Sequence, residues 1–190
     1  PEHALDGAIT TVSGYSQLAV KYGDFNGEFA WLGGGKAGVL LNGDLWIGAA
    51  YYRKLDNSVA ADFRAGDRSP NLDFEYGGID IEYVVSQHEL FHFSIQGLLG
   101  YGGYSFTDPD DIFEFENKYF FIFEPGVNFE LNLVSWVKLQ WGMDFRIIFD
   151  NDEDPDHITY RFGRHVFEYG FNSGDLTNIG FKFGVKFGGF

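Results

Sequence analysis

The amino-acid sequence predicts an all-β protein, an eight-stranded antiparallel up-and-down transmembrane β-barrel. Long runs alternate apolar and polar residues with a period of two, which is the pattern of a strand with two different faces. Aromatic residues make up 19% of the 190 residues, which favours strands, and no apolar stretch is long enough for a membrane-spanning helix. Acidic segments separate the alternating runs, as loops separate the strands of a membrane barrel.

The clearest strands lie in the second half of the chain, at 119–131, 137–149 and 179–187. Their odd positions are apolar and often Phe, whereas most even positions carry Gly, Lys, Asp, Glu, Asn or Gln. A strand of thirteen residues tilted by roughly 40° rises on the order of 33 Å, enough for an apolar band of about 25 Å. Strands of soluble proteins are usually shorter.

The same alternation predicts five earlier strands, at 17–22, 29–41, 45–51, 78–85 and 91–102. Phe74 and Tyr76 have the opposite parity to the apolar residues that follow them. We therefore expect a β-bulge at Gly77–Gly78.

Short turns and long loops are predicted to lie at opposite ends of the barrel, except that the first connection, Asn26-Gly27, is a tight turn at the long-loop end. Asn26-Gly27 and Asn42-Gly43 are two-residue hairpin signals, and two further connections are short. If residues 1–14 form a periplasmic N-terminal segment and 15–190 the barrel, the long loops are extracellular. These acidic loops are 56–75, 107–117 and 150–173.

The net charge of −15 is concentrated in those loops, which carry −3, −5 and −4 in chain order. No basic stripe is present to displace phosphate counterions, so nucleic acid is not an expected partner. The absence of Cys excludes disulfides and thiolate metal sites, and no cofactor is predicted.

The soluble alternative is a lipocalin-like barrel with its apolar face turned inward. So many aromatic residues would overfill a small interior, which favours the membrane barrel.

A charged lumen is predicted from the polar face of the strands. Its members are Lys21, Lys36, Asp80, Glu82, His92, Glu124, Glu130, Lys138, Asp144, Arg146, Lys182 and Lys186. Buried charges must pair, so we expect an ion-pair network that fills the barrel, with lumen glycines leaving room for Lys and Arg stems. A polar pore or proton path is the alternative interpretation.

An acidic run in the last long loop is a candidate divalent-cation site. Its carboxylates are Asp150, Asp152, Asp154 and Asp156. Hard cations prefer several carboxylate oxygens, but Pro155 and Arg161 occupy positions where an EF-hand loop needs Gly and Glu. A solvated acidic loop is the competing interpretation.

No catalytic residue is predicted. Outer-membrane hydrolases carry His, Ser and acidic groups near the barrel rim, so we considered His157, His165, Asp156 and Ser173. No spacing links these residues, and isolated loop histidines are typical of a protein surface.

Four segments carry a resemblance to a known family: NGEFAWLGGGKAGVLLNGDLWIGAAYY, YGGIDIEYVVSQHELFHFSIQGLLGYGG, FFIFEPGVNFELNL and the ending GFKFGVKFGGF. Together they resemble an uncharacterised family of outer-membrane β-barrel proteins of Gram-negative bacteria, similar in architecture to the small OmpA/OmpX-type barrels. The resemblance implies contact with outer-membrane lipid and with the barrel-assembly machinery, for which the terminal aromatic Phe190 would be the signal. Gly188-Gly189 departs from the usual alternation there.

The leading functional hypothesis is a non-enzymatic barrel with a structural or accessory-subunit role, which offers its acidic loops or outer wall to a membrane-protein partner. An outer-membrane enzyme acting on lipid or peptide and a narrow channel for small solutes are the alternatives.

Overall fold

The computed structural model describes residues 11–25, 28–55, 71–86, 89–107, 118–149, 156–162, 165–171 and 176–190. The strands are β1 (Val12–Phe25), β2 (Glu28–Leu41), β3 (Leu45–Lys54), β4 (Asn71–Val85), β5 (Phe91–Thr107), β6 (Lys118–Val134), β7 (Val137–Phe149), β8 (Asp156–Phe162), β9 (His165–Phe171) and β10 (Asn178–Gly188). All except β8 and β9 form a closed barrel in the order β1–β10–β7–β6–β5–β4–β3–β2, with antiparallel neighbours throughout. The predicted eight-stranded barrel is confirmed. Within the described ranges, no helix is long and apolar enough to cross a membrane.

Alternate residues of each barrel strand face outward and inward. On β1, for example, Leu18 is 69% exposed, whereas the neighbouring Gln17 is 2% exposed. Leu, Ile, Val, Phe, Tyr and Trp dominate the outer wall, and most of the charged residues of the strands lie inside. This inside-out distribution suits a wall that contacts lipid and a lumen that contains polar groups.

Tight turns close one end of the barrel, which we name the turn end. Asn42 and Gly43 have positive φ angles of 52° and 82°, and the amide of Asp44 donates to the carbonyl of Leu41 at 3.2 Å. This geometry confirms the predicted Asn42-Gly43 hairpin, because two central residues with positive φ match the twist of the flanking strands. The predicted Asn26-Gly27 turn lies outside the described residues, at the opposite end, which we name the loop end.

The predicted β-bulge at Gly77–Gly78 is wrong. The pairing of β4 with β3 and β5 runs without interruption through both glycines. Phe74 and Tyr76 keep the inward parity because the lumen near the loop end is lined by aromatic rings. A register shift occurs instead on β6, between Asn132 and Val134.

Several strands extend into segments that the alternation assigned to termini or loops. β1 begins at Val12, ahead of the expected boundary at residue 15, and β4 begins at Asn71, inside the expected loop 56–75. β8 and β9 form a separate two-stranded sheet within the expected loop 150–173. The remaining parts of the three acidic loops lie outside the described residues.

Candidate functional site: the lumen and the outer rim

All twelve residues predicted to form the charged lumen lie inside the barrel, each at most 5% exposed. Their signs are divided around the wall. Carboxylates come from β4 and β6, and lysines come from β1, β2 and β10, which are neighbours in the barrel; β7 supplies both signs. Lys21 and Lys182 are register partners across the seam between the first and last strands. The cationic side of the lumen is therefore centred on the seam.

The larger ion cluster, which we name the Glu82 cluster, lies toward the turn end. Lys36 Nζ lies 2.7 Å from Asp80 Oδ2 and 2.6 Å from Glu82 Oε2. Lys186 Nζ lies 2.8 Å from Glu82 Oε1 and 2.5 Å from Glu130 Oε1. Because two lysines share three carboxylates, their mutual attraction offsets much of the free energy needed to remove these charges from water.

Neutral side chains complete the Glu82 cluster. The Tyr15 hydroxyl donates to Glu82 Oε2 at 2.6 Å, and Gln140 Nε2 donates to Glu82 Oε1 at 3.3 Å and to Glu130 Oε1 at 3.2 Å. His92 Nε2 lies 3.1 Å from Glu130 Oε2. His92 is thus one member of a buried hydrogen-bond network.

A second ion cluster, which we name the Lys21 cluster, lies closer to the loop end. Lys21 pairs with Glu124, and its Nζ also lies 3.1 Å from Asp144 Oδ2 and donates to the Tyr76 hydroxyl at 3.1 Å. The Tyr76 hydroxyl in turn donates to Glu124 Oε2 at 2.7 Å. The lysine Nζ lies 3.9 Å from the ring centroid of Tyr52, a cation–π contact.

Three of the six cations predicted to line the lumen have no carboxylate within ion-pair distance among the residues that the structure describes. Lys182 donates to Gln96 Oε1 at 2.5 Å, and Lys138 Nζ lies 4.2 Å from the ring centroid of Phe190. Arg146 donates to two backbone carbonyls at 2.7 and 3.0 Å. Amides, rings and carbonyls therefore take the place of some of the carboxylates that an ion-pair network would use.

Aromatic and aliphatic side chains fill the lumen toward the loop end. The largest of them are Phe25, Tyr52, Phe74, Tyr76, Tyr104 and Phe120, all at most 4% exposed. The expected ion-pair network therefore does not fill this half of the barrel. The signal was present in the sequence, because Phe74 and Tyr76 share the parity of the lumen residues Asp80 and Glu82.

A second aromatic group closes the lumen at the turn end. The rings of Tyr15 and Trp46 stack with centroids 5.2 Å apart, and the centroid of Phe190 lies 5.5 Å from that of Tyr15. Lys36 Nζ lies 4.4 Å from the Trp46 ring centroid. Phe190 thus packs against the lumen group, and its role as an assembly signal stays a prediction.

The lumen glycines make room for other side chains than we expected. A Cβ at Gly34 would lie 2.6 Å from Cδ1 of Tyr52, and one at Gly142 would lie 2.5 Å from Oδ1 of Asn128. At Gly184 it would meet a glutamine amide. The close neighbours of these glycines are thus backbone carbonyls of the adjacent strand, a tyrosine ring and side-chain amides rather than Lys or Arg stems.

The candidate cation and catalytic residues remain outside this description. Asp150, Asp152 and Asp154 are not described. The backbone of Asp156 and His157 in β8 and of His165 in β9 is described, but their side chains are not. Among the described side chains, no group of three His, Asp or Glu residues could hold a metal ion.

The outer wall carries two adjoining depressions across β3 to β6 that the alternation did not reveal. The rim cavity has a volume of about 650 Å³ and is bordered by tyrosines and by charged residues near the loop end. The wall groove has a volume of about 570 Å³ and is apolar. Gly77 and Tyr101 line both, so the two depressions meet.

Comparison with solved structures identifies the fold. The N-terminal β-barrel domain of Pseudomonas aeruginosa OprF matches 93% of this chain over 96% of its own length, with 14% identity and a TM-score of 0.60. A major outer membrane protein of Thermus thermophilus matches 92% of this chain over 98% of its own, with 12% identity and a TM-score of 0.58. Ail of Yersinia pestis, solved with the heparin analogue sucrose octasulfate, matches 93% of this chain over 97% of its own length, with 12% identity and a TM-score of 0.53.

No protein-family model and no curated protein matches the sequence. The closed barrel of this chain agrees with the fold of these structures. The chain has the fold of the small eight-stranded β-barrels of bacterial outer membranes, and its lipid-facing wall places it in such a membrane.

Proposed function

We propose that the chain is a non-enzymatic outer-membrane barrel with a structural or protein-interaction role, an accessory subunit that works through its loops and outer wall. The filled lumen is the observation that carries this proposal. Aromatic rings occupy the barrel toward both ends, and the two ion clusters occupy the space between them. A solute has no wide passage through such an interior, so the outer surfaces are left for function.

The narrow channel is the alternative against which the proposal is tested first. Purified protein is inserted into planar bilayers, with an open porin as the positive control in the same lipid. We expect a conductance equal to that of bare lipid, because Lys186 joins carboxylates of β4 and β6 across the lumen. Reproducible unit conductance steps from the unaltered barrel would contradict the proposal.

The interaction role is tested by purification from native membranes under conditions that keep complexes intact. We expect a membrane-protein companion in stoichiometric amount. Replacing residues 108–117 with a Gly-Ser segment of equal length removes a charge of −5 and should release a companion held by that loop. The control is Glu89→Gln, which removes a single exposed charge at the turn end and should leave the companion bound. Replacement of the 42–44 turn is not a suitable control, because it would disturb folding. A monomer without companions would overturn the interaction role.

A further inference from the structure

The rim cavity and the wall groove form one continuous depression with two chemical halves. The groove is lined by outward-facing apolar residues, chiefly Ala49, Ile79, Leu99 and Phe121. Above it, toward the loop end, the rim cavity is bordered on the outside by Arg53, Asp73, Glu75, Lys118 and three exposed tyrosines, Tyr51, Tyr101 and Tyr119. The buried rings of Phe74, Tyr76 and Tyr104 border it on the lumen side. An apolar groove that continues into a charged cavity is suited to an amphiphile, with its apolar part in the groove and its polar part in the cavity.

The depression exists because small residues face outward on two neighbouring strands. Gly77 of β4 is the register partner of Tyr51 on β3 and of Tyr101 on β5, so a residue without a side chain lies between two tyrosines. Beside it, Ala49 contributes a single methyl group. A Cβ at Gly77 would lie 2.9 Å from the Ala50 carbonyl oxygen, so the floor here is backbone.

Both signs of charge are held in place around the rim cavity. Arg53 Nη2 lies 3.8 Å from Asp73 Oδ1, and these side chains remain 59% and 49% exposed. The Tyr51 hydroxyl donates to Glu75 Oε2 at 2.6 Å, which fixes the carboxylate beside the cavity. Tyr51, Arg53 and Glu75 are exposed, so a ligand can reach their polar groups.

These features favour a lipid with a large polar head. The groove opens on the wall that contacts the bilayer, so its occupant is most simply an acyl chain. In the rim cavity, Arg53 and Lys118 suit a phosphate, and the carboxylates and tyrosine hydroxyls suit sugar hydroxyls. A volume of about 650 Å³ falls within the range of small-molecule sites and suits a phosphorylated sugar better than a phosphoethanolamine group.

We propose that this depression is a specific site for one phosphorylated glycolipid of the lipopolysaccharide class, with an acyl chain in the wall groove and its phosphorylated sugar in the rim cavity. The loop end is the predicted extracellular end, where this lipid forms the outer leaflet. The site goes beyond the proposed function, since it requires neither a closed lumen nor a protein companion.

The test measures lipid binding to the refolded, delipidated full chain by native mass spectrometry. The probes are a lipopolysaccharide that carries only the inner-core sugars and, separately, phosphatidylethanolamine. We expect one lipopolysaccharide molecule to bind, and phosphatidylethanolamine to bind at least tenfold more weakly. Ala49→Phe fills the groove and should weaken lipopolysaccharide binding at least tenfold. Ala37→Phe is the matched control, because Ala37 is the outward-facing register partner of Ala49 outside the groove.

The polar half is tested with the same probe. Arg53→Gln should weaken binding severalfold, and Arg53→Lys should restore most of it because the positive charge returns. Equal binding of both lipids, an equal effect of Ala37→Phe and Ala49→Phe, or unchanged binding by Arg53→Gln would overturn the proposal. A dimer of the chain that disappears in Ala49→Phe, without lipid, would also overturn it by assigning the groove to a second copy.

Discussion

Lys186 Nζ on β10 lies 2.8 Å from Glu82 Oε1 on β4, although these strands stand on opposite sides of the eight-stranded barrel. The contact therefore spans the full width of the lumen. Lys186 also contacts Glu130 on β6, so one ammonium group joins three strands that are not neighbours. Stability of the closed barrel should depend on such contacts as well as on the pairing of adjacent strands.

Removal of this ammonium group should be costly. Lys186→Met leaves Glu82 and Glu130 buried with one cation fewer, and we expect a loss of about 3–5 kcal/mol in the free energy of unfolding. The measurement is urea unfolding in lipid vesicles, followed by heat-modifiable gel migration. Arg53→Met is the control, because its exposed pair with Asp73 should contribute about 1 kcal/mol or less. Equal losses for the two variants would show that the buried contact adds no stability.

The Lys21 cluster should behave as a separate energetic unit. In a double-mutant cycle, Lys21→Met and Glu124→Gln should show a coupling on the order of 1–3 kcal/mol, because their side chains are in direct contact. Lys186→Met combined with Glu124→Gln should be additive within about 0.5 kcal/mol, since these residues belong to different clusters. Coupling of similar size in both cycles would contradict the division into two clusters.

Trp46 and Trp141 should differ in how much they contribute to the free energy of unfolding. Trp46 is fully buried against Tyr15, so Trp46→Ala should lower the free energy of unfolding by about 3–5 kcal/mol. Trp141 lies on the outer wall beside Phe91, and lipid can replace much of its ring contact. We expect Trp141→Ala to cost clearly less in the same vesicle assay. A larger loss at position 141 would mean that Trp46 does not pack as a core residue.

The turn between β2 and β3 allows a test of backbone conformation. Gly43 has a φ of 82°, so Gly43→Ala should destabilise the barrel by about 1 kcal/mol. Gly97 lies within β5, and a Cβ there would make only an ordinary contact at 3.6 Å with Phe123. Gly97→Ala should therefore leave stability unchanged or raise it by up to about 1 kcal/mol. Equal destabilisation by both alanines would argue against a left-handed turn at Gly43.

The barrel and the two faces of its strands could be predicted because every barrel strand keeps a period of two. The same rule predicted that twelve charged or titratable residues, from Lys21 to Lys186, face the lumen, and all twelve are buried. It could not assign their partners. Lys186 and Glu82 are 104 residues apart, and their contact depends on the register of every strand between them and on closure of the sheet.

Other features were missed for a different reason. The parity of Phe74 and Tyr76 led us to expect a bulge at Gly77–Gly78, whereas both side chains lie in the lumen and the strand continues without a bulge. The depression around Gly77 could not be predicted, since it requires the side chains of β3 and β5 to be placed on either side of a glycine. Period-two patterns describe one strand at a time, whereas both features arise between strands.

The distribution of lumen charge also has a consequence for the order in which the barrel is made. Before closure, the sheet has lysines on its edge strands β1 and β10 and carboxylates on its central strands β4 and β6. Lys21 and Lys182 must then approach one another as the edges join. Asp144 on β7 lies next to the seam, but Glu124 on β6 can reach Lys21 only when the sheet is already curved. We expect the sheet to curve before β1 and β10 pair along the final seam.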